Sequence, residues 1–381
     1  MPSPSPVPSP SVRRLGLLVS PDPRDTPVRR PLVPAGPAWF PAVMGTGILA
    51  NTLQLSKGGL PGACLAAVAV LALAWALMLG LTVGYLLRLR REPGLLRREL
   101  SSPFWGTVAM GWMSVGSATG VVTAAHWPRA AGAAWAVDLA LWLAGTAVGL
   151  AAEAGYLWRR AHRTEQAPSF VSCLAVLAPM VSSTVGAVLS EHLDMPWRGP
   201  VLAVSALCWL VSLVLGWLIF VPAYARTLRH EPLPLALSAS AVIPLGIVGQ
   251  SVAGAVAIAT QAQDLLADGA ARLALGAAHA WGWAMLLLGA PMIAWGALVY
   301  LRGLARRMPF TPGWFAATFP IGTLALGGIL LGRSTGAGAV TWMGQAAVLV
   351  LVGTVTLGLS GAVLRLAREP RQTRATTLSH P

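Results

Sequence analysis

Ten apolar runs, separated by short polar stretches with glycine and proline, divide most of the chain: roughly 39–56, 64–87, 104–125, 133–157, 169–190, 200–225, 235–262, 273–301, 313–332 and 339–364. A helix rises 1.5 Å per residue, so about 20 residues cross a hydrocarbon core about 30 Å thick. The pattern predicts an all-α polytopic membrane protein with ten transmembrane helices. The first 34 residues differ. They open MPSPSPVPSPS, are rich in Pro, Ser and Arg, and cannot bury a core, which predicts a disordered tail. They contain no signal-peptide apolar region with a small-residue cleavage site, so the first span is expected to act as an uncleaved anchor. The membrane domain is placed at 35–366 and a C-terminal tail at 367–381.

Composition agrees with the pattern. The chain is 55% hydrophobic and 10% charged, too apolar for a soluble domain of 381 residues. Its net charge of +14 would point to nucleic acid in a soluble protein. Here the charge reports topology instead. If the N-terminus is inside, only Lys57, Arg129, Arg198, Arg272 and Arg333 of the 27 basic residues fall in outside loops. That bias predicts both termini in the cytoplasm and a multi-pass protein of the cell (plasma) membrane, with the lipid bilayer but no nucleic acid as a partner. Cys64, Cys173 and Cys208 lie inside spans without metal-ligand spacing and read as small buried apolar residues. Glu191-His192-Leu193-Asp194 sits in one short outer loop without supporting ligands, so no metal site and no cofactor are expected.

A repeat lies in the odd spans. Their starts carry Pro37-Ala38-Trp39-Phe40, Pro103-Phe104-Trp105, Pro168-Ser169-Phe170, Pro234-Leu235 and Pro312-Gly313-Trp314-Phe315. Proline suits a first helical turn, and Trp and Phe suit the membrane interface. Seven residues after the first proline stand Met44, Met110 and Phe319 in spans 1, 3 and 9, followed by Gly45, Gly111 and Pro320. Spans 5 and 7 carry Pro179 and Pro244 slightly later. These five positions are predicted to kink the odd helices near mid-membrane. No Asp, Glu, Lys or Arg lies between the ends of any odd span. Thr46, Ser114, Ser182, Ser183, Gln250, Ser251 and Thr323 are the polar candidates, and they predict an inner ring of helices around a narrow, uncharged, hydroxyl-lined path. Small residues also permit close helix packing, the plainer explanation of the same composition.

The phrases PAWFPAVMGTGILA, LAPMVSSTVGAVL, PLGIVGQSVAGA and FTPGWFAATFPIGTLAL, in order on alternate spans, resemble the tellurite-resistance/dicarboxylate transporter family, which includes fungal malate and sulfite carriers and plant guard-cell slow anion channels. The resemblance covers about residues 35–366. It implies five helical hairpins in a pseudo-fivefold ring, with odd helices lining a central pore, and a homotrimer. It also implies a pore-blocking phenylalanine on the ninth helix, which by motif is Phe319; by the repeat, Met44 and Met110 take the equivalent places and are expected to share the gate. The phrase LGIVGQS has Ile247 and Val248 where a related form has Pro and Leu, so span 7 has one bend fewer near Gln250.

An uncharged lining with hydroxyl and amide donors suits an anion held weakly enough to be released. The expected function is transport of small anions, namely C4-dicarboxylates such as malate, sulfite or related oxyanions, through a neutral pore gated by a phenylalanine. The alternative is a proton-coupled carrier, which needs a titratable group in the path. Asp138, Glu153 and His279 are the intramembrane candidates, and all lie on even spans. A membrane enzyme or receptor would need a clustered polar constellation, and none is visible. Lys57, the one lysine, lies in a loop, which argues against a retinal protein.

Overall fold

The computed structural model describes residues 35–162, 167–229 and 231–377, with side chains described as far as Ala367. The predicted tail 1–34 lies outside the described residues. All regular structure within them is helical, in eleven α-helices and five short 3-10 segments. The α-helices are α1 (Pro41–Leu55), α2 (Ala63–Arg91), α3 (Leu95–Glu99), α4 (Trp105–His126), α5 (Ala131–Ala161), α6 (Ala178–Ser190), α7 (Met195–Arg229), α8 (Leu245–Gln261), α9 (Asp268–Ala305), α10 (Thr318–Thr335) and α11 (Gly338–Thr377).

Eight helical segments among the described residues are long and apolar enough to cross a membrane. The two other predicted spans correspond to α1 and α6, α-helical over only 15 and 13 residues. Each is preceded by a short 3-10 segment, Pro37–Trp39 or Val171–Ala175. A 3-10 segment rises about 2.0 Å per residue, so it adds length that an α-helix count misses.

Two sets of helices differ in burial. The inner set, α1, α4, α6, α8 and α10, is buried along most of its length. Within it α1 packs on α4, α4 on α6, α6 on α8 and α8 on α10, and α10 packs back on α1. Each long outer helix rests on an inner helix and the next one. Thus α2 packs on α1 and α4, α5 on α4 and α6, α7 on α6 and α8, α9 on α8 and more lightly α10, and α11 on α10 and α1.

Glycine permits the close inner contacts. A Cβ on Gly47 would stand 2.9 Å from Ser114, and one on Gly322 would stand 2.6 Å from Ile48. The outer helices supply hydrogen bonds to the inner set. Trp142 Nε1 donates to the Ser182 carbonyl and Trp209 Nε1 to the Ser251 carbonyl, each at 2.9 Å, and Trp75 Nε1 donates to Thr119 Oγ1 at 2.9 Å. Interfacial anchoring and packing, the sequence-based account of the tryptophans, do not include these hydrogen bonds. Arg333, at the end of α10, donates to the Leu55 carbonyl at the end of α1. The α10–α11 connection turns at Gly336, whose φ of 71° is left-handed and suits glycine.

The predicted kinks resolve into two kinds. Pro179, Pro244 and Pro320 stand where a 3-10 segment gives way to an α-helix: Pro179 in the first turn of α6, Pro244 capping α8, and Pro320 in the first turn of α10. A proline there removes no hydrogen bond that the first turn needs. Pro320 therefore starts an α-helix rather than bending a continuous one. At Gly45 and Gly111 the α-helix continues without a change of type. Gly45 instead faces the Thr318 side chain, and a Cβ on Gly111 would lie 3.4 Å from Val43.

Candidate functional site

A cavity of about 90 Å³ lies among the five inner helices, and all five contribute to its wall. The lining follows the sequence repeat. Asn51 on α1, Ser117 on α4, Thr184 on α6 and Gln250 on α8 occupy equivalent positions, and Leu326 takes the fifth on α10. One turn towards the helix N-termini come Ile48, Ser114 and Val181. One turn the other way come Leu55, Val121, Val188 and Leu330, all half-buried, so the wall is less enclosed at that end. Phe319 joins the lining from the N-terminal side.

The polar level is tied together across helices. Asn51 Nδ2 donates to Ser117 Oγ at 2.8 Å, and Gln250 Nε2 donates to Thr184 Oγ1 at 2.8 Å. Both partners of each pair are 66 positions apart, the spacing of the repeat itself. Four polar positions therefore form an arc, and Leu326 closes it with an apolar side chain.

At the N-terminal end the equivalent positions are Met44, Met110, Leu177, Ile243 and Phe319. All five are large, apolar and buried in one hydrophobic cluster. Only Phe319 of the five touches the cavity, and it is 5% exposed. Met44 and Met110 stay in the packed layer without lining the cavity. Leu177 and Ile243 escaped the sequence reading because neither follows the Met-Gly or Phe-Pro pattern that marks the other three.

Of the seven predicted lining residues, Ser114 and Gln250 line the cavity. The other five are engaged elsewhere. Thr46 donates to the Ala42 carbonyl, Ser183 to that of Met180, and Thr323 to that of Pro320. Ser182 pairs with Thr146 on α5 at 2.6 Å. Ser251 donates to the Val248 carbonyl and accepts from Trp281 Nε1 on α9. Back-bonding within a helix satisfies a hydroxyl without any partner outside it. Asn51, Ser117 and Thr184 were missed, yet the signal was available: Asn51 and Ser117 stand seven residues after Met44 and Met110.

The intramembrane titratable groups lie off the cavity. Asp138 is fully buried, with both carboxyl oxygens unpartnered, and its Oδ1 would stand 2.6 Å from a Cβ on Gly116 at the α4–α5 contact. Glu153 is buried on α5 and its Oε1 has no partner. His279 Nε2 lies 2.7 Å from Ser334 Oγ in an exposed pair. No group of three His, Cys, Asp or Glu side chains able to hold a metal occurs among the described residues.

The sequence profile of the family described as SLAC1, voltage-dependent anion channel, matches residues 35–363. The chain belongs to this family. It is a multi-pass membrane protein that transports anions, and the family is one of channels and transporters rather than enzymes. Curated relatives include sulfite efflux pumps SSU1 from Arthroderma benhamiae and Trichophyton rubrum. Each is 26% identical over 319 residues, covering 78% of this chain and 81% of the relative. The expected kinship with fungal sulfite carriers is thereby met.

Proposed function

We propose that the inner helices form a ring around a neutral path for small oxyanions of the sulfite class, closed by Phe319 and opened when that ring moves aside. The observation that carries this reading is the cavity bounded by Phe319 and lined by all five inner helices. Its wall has hydroxyl and amide groups but no charged side chain. Rings of acidic side chains serve cations, whereas a neutral wall can hold an anion and let it go. The apolar layer at the Phe319 level acts as a hydrophobic constriction that excludes water and hydrated ions. The sulfite pumps among the relatives favour sulfite over malate as the physiological cargo.

With both termini in the cytoplasm of a plasma-membrane protein, the inner helices start on the cytoplasmic side. The layer containing Phe319 then separates the cytoplasmic entrance from a cavity facing outwards. Asp138, Glu153 and His279 stand away from the wall, which favours gated movement down a gradient over a carrier with a titrating site in the path.

Voltage-clamp recording of wild type and Phe319→Ala in chloride, nitrate, sulfite and malate tests the reading. A large anion-selective current that appears only in Phe319→Ala is the expected result. No current in either protein, with surface expression confirmed, would return Phe319 to packing and favour an electroneutral or alternating carrier.

A further inference from the structure

The two amide–hydroxyl pairs fix the hydrogen-bonding character of the cavity wall. Ser117 Oγ already accepts a hydrogen from Asn51, and Thr184 Oγ1 accepts one from Gln250. A hydroxyl that accepts in this way keeps its own O–H for another partner. At the level of these pairs the wall thus offers two hydroxyl donors from neighbouring helices, α4 and α6, with the Ser114 hydroxyl one turn away. Gln250 is 3% exposed, and its Oε1 is buried without a hydrogen-bond partner. Buried acceptors are almost always satisfied, and leaving one bare is costly. The missing partner is therefore a donor. No side chain along the cavity supplies it, and Leu326 closes the level with hydrocarbon.

We propose that Ser117, Thr184 and Gln250 recognise a singly charged oxyanion that still carries an acid O–H, with hydrogen sulfite as the fitting example. Its charged oxygens accept from the Ser117 and Thr184 hydroxyls, and its acid hydrogen goes to Gln250 Oε1. A fully deprotonated dianion has no hydrogen to give and sets a negative oxygen against the Gln250 carbonyl. It also loses more hydration in a wall that offers no cation in return. Chloride and nitrate satisfy the hydroxyls but leave Oε1 bare. The cavity volume of about 90 Å³ has room for such an anion together with some water, since one water needs roughly 10–15 Å³. Each anion that passes takes a proton with it, although no titratable side chain lines the wall.

This inference rests on the path proposed above, and the test separates the two. Full-length Phe319→Ala is reconstituted in vesicles, alone and combined with Gln250→Leu or Thr184→Val. Sulfite flux is measured on both sides of the hydrogen sulfite ionisation, with nitrate as an anion whose charge stays fixed. The sulfite-to-nitrate ratio is expected to follow the hydrogen sulfite fraction. Gln250→Leu is expected to lower that ratio about tenfold under acidic conditions, the effect of one lost hydrogen bond, whereas Thr184→Val removes a donor that both anions use and is expected to lower both fluxes. A ratio that follows the dianion or total sulfite, or that Gln250→Leu leaves unchanged, overturns the inference while leaving the neutral path intact. Absence of all anion flux in Phe319→Ala removes the path, and the inference falls with it.

Discussion

The inner and outer helices solve different problems with nearly the same apolar vocabulary. Over an apolar stretch of 18 residues in each, 89% of the segment containing α8 and 83% of that containing α10 is buried, against 22% for α2 and 28% for α9. The outer helices present Leu65, Leu79, Leu218, Leu273 and Leu287 outwards, each more than half exposed. Lipid tails are as apolar as leucine, so such a face needs length and hydrocarbon but little shape. The inner helices must instead approach one another closely and still leave a cavity. They do so with glycine at the contacts and paired polar groups facing the space. Membrane residence is therefore written mainly in the outer helices, and chemistry in the inner ones.

Glycine gives the sharpest way to break that contrast. A Cβ on Gly249 would stand 2.6 Å from the Thr323 carbonyl oxygen, a backbone atom of α10 that cannot step aside. On α9, a Cβ on Gly276 would meet nothing within 4 Å. Gly249→Ala is expected to destabilise the protein by about 1–3 kcal/mol through overpacking. Gly276→Ala is expected to be neutral or stabilising by up to about 1 kcal/mol, because alanine favours the helix. Thermal unfolding in detergent, paired with anion flux, measures both. Equal losses at the two positions would erase the distinction between the helix sets.

Hydroxyls sharpen the contrast within the inner helices. Ser251 accepts from Trp281 at 3.2 Å and faces an outer helix, whereas Thr184 lines the cavity. Ser251→Ala is expected to cost about 1 kcal/mol of stability and to leave anion flux through correctly inserted protein unchanged. Thr184→Val is expected to lower the flux of sulfite and nitrate alike. A lowered flux in Ser251→Ala would mean that the wall extends further than the cavity lining. Asp138→Asn belongs to the same comparison. It removes a titratable group from behind the wall, and pH-driven anion flux is expected to persist. Its loss in a correctly inserted protein would put proton coupling on α5.

Much of this architecture is legible in the sequence because a hydrocarbon core demands long apolar runs, and because the odd runs share one plan. Proline at the starts and the spacing from Met44 to Met110 reveal the repeat by themselves. The orientation of individual hydroxyls is less legible. On a helix buried all round, apolar periodicity names no favoured face, so Ser182 and Thr184 look alike. Thr184 lines the cavity while Ser182 turns to Thr146, a difference fixed by the neighbouring helix. The same limit hides the function of Pro320. Sequence shows a proline inside an apolar run, but the preceding 3-10 segment makes it a helix start.

The smallest expected effect lies in the loops, where the two helix sets meet water. His192, between α6 and α7, stacks on Trp135 of α5 with ring centroids 3.8 Å apart. Burial lowers its imidazole below the ordinary value of 6.5, against the opposing pull of Glu191. The unfolded chain therefore binds this proton more readily than the folded one. The resulting stability is fully present above 6.5 and is lost as pH falls through the lowered folded-state value. Thermal unfolding of the purified protein is expected to shift slightly downward on that acidification. His192→Phe keeps an aromatic ring against Trp135 and removes the titration, so its pH profile should be flatter over the same window. An unchanged profile would mean that the loop contributes nothing to the cooperative unit and that the inner helices alone set the stability.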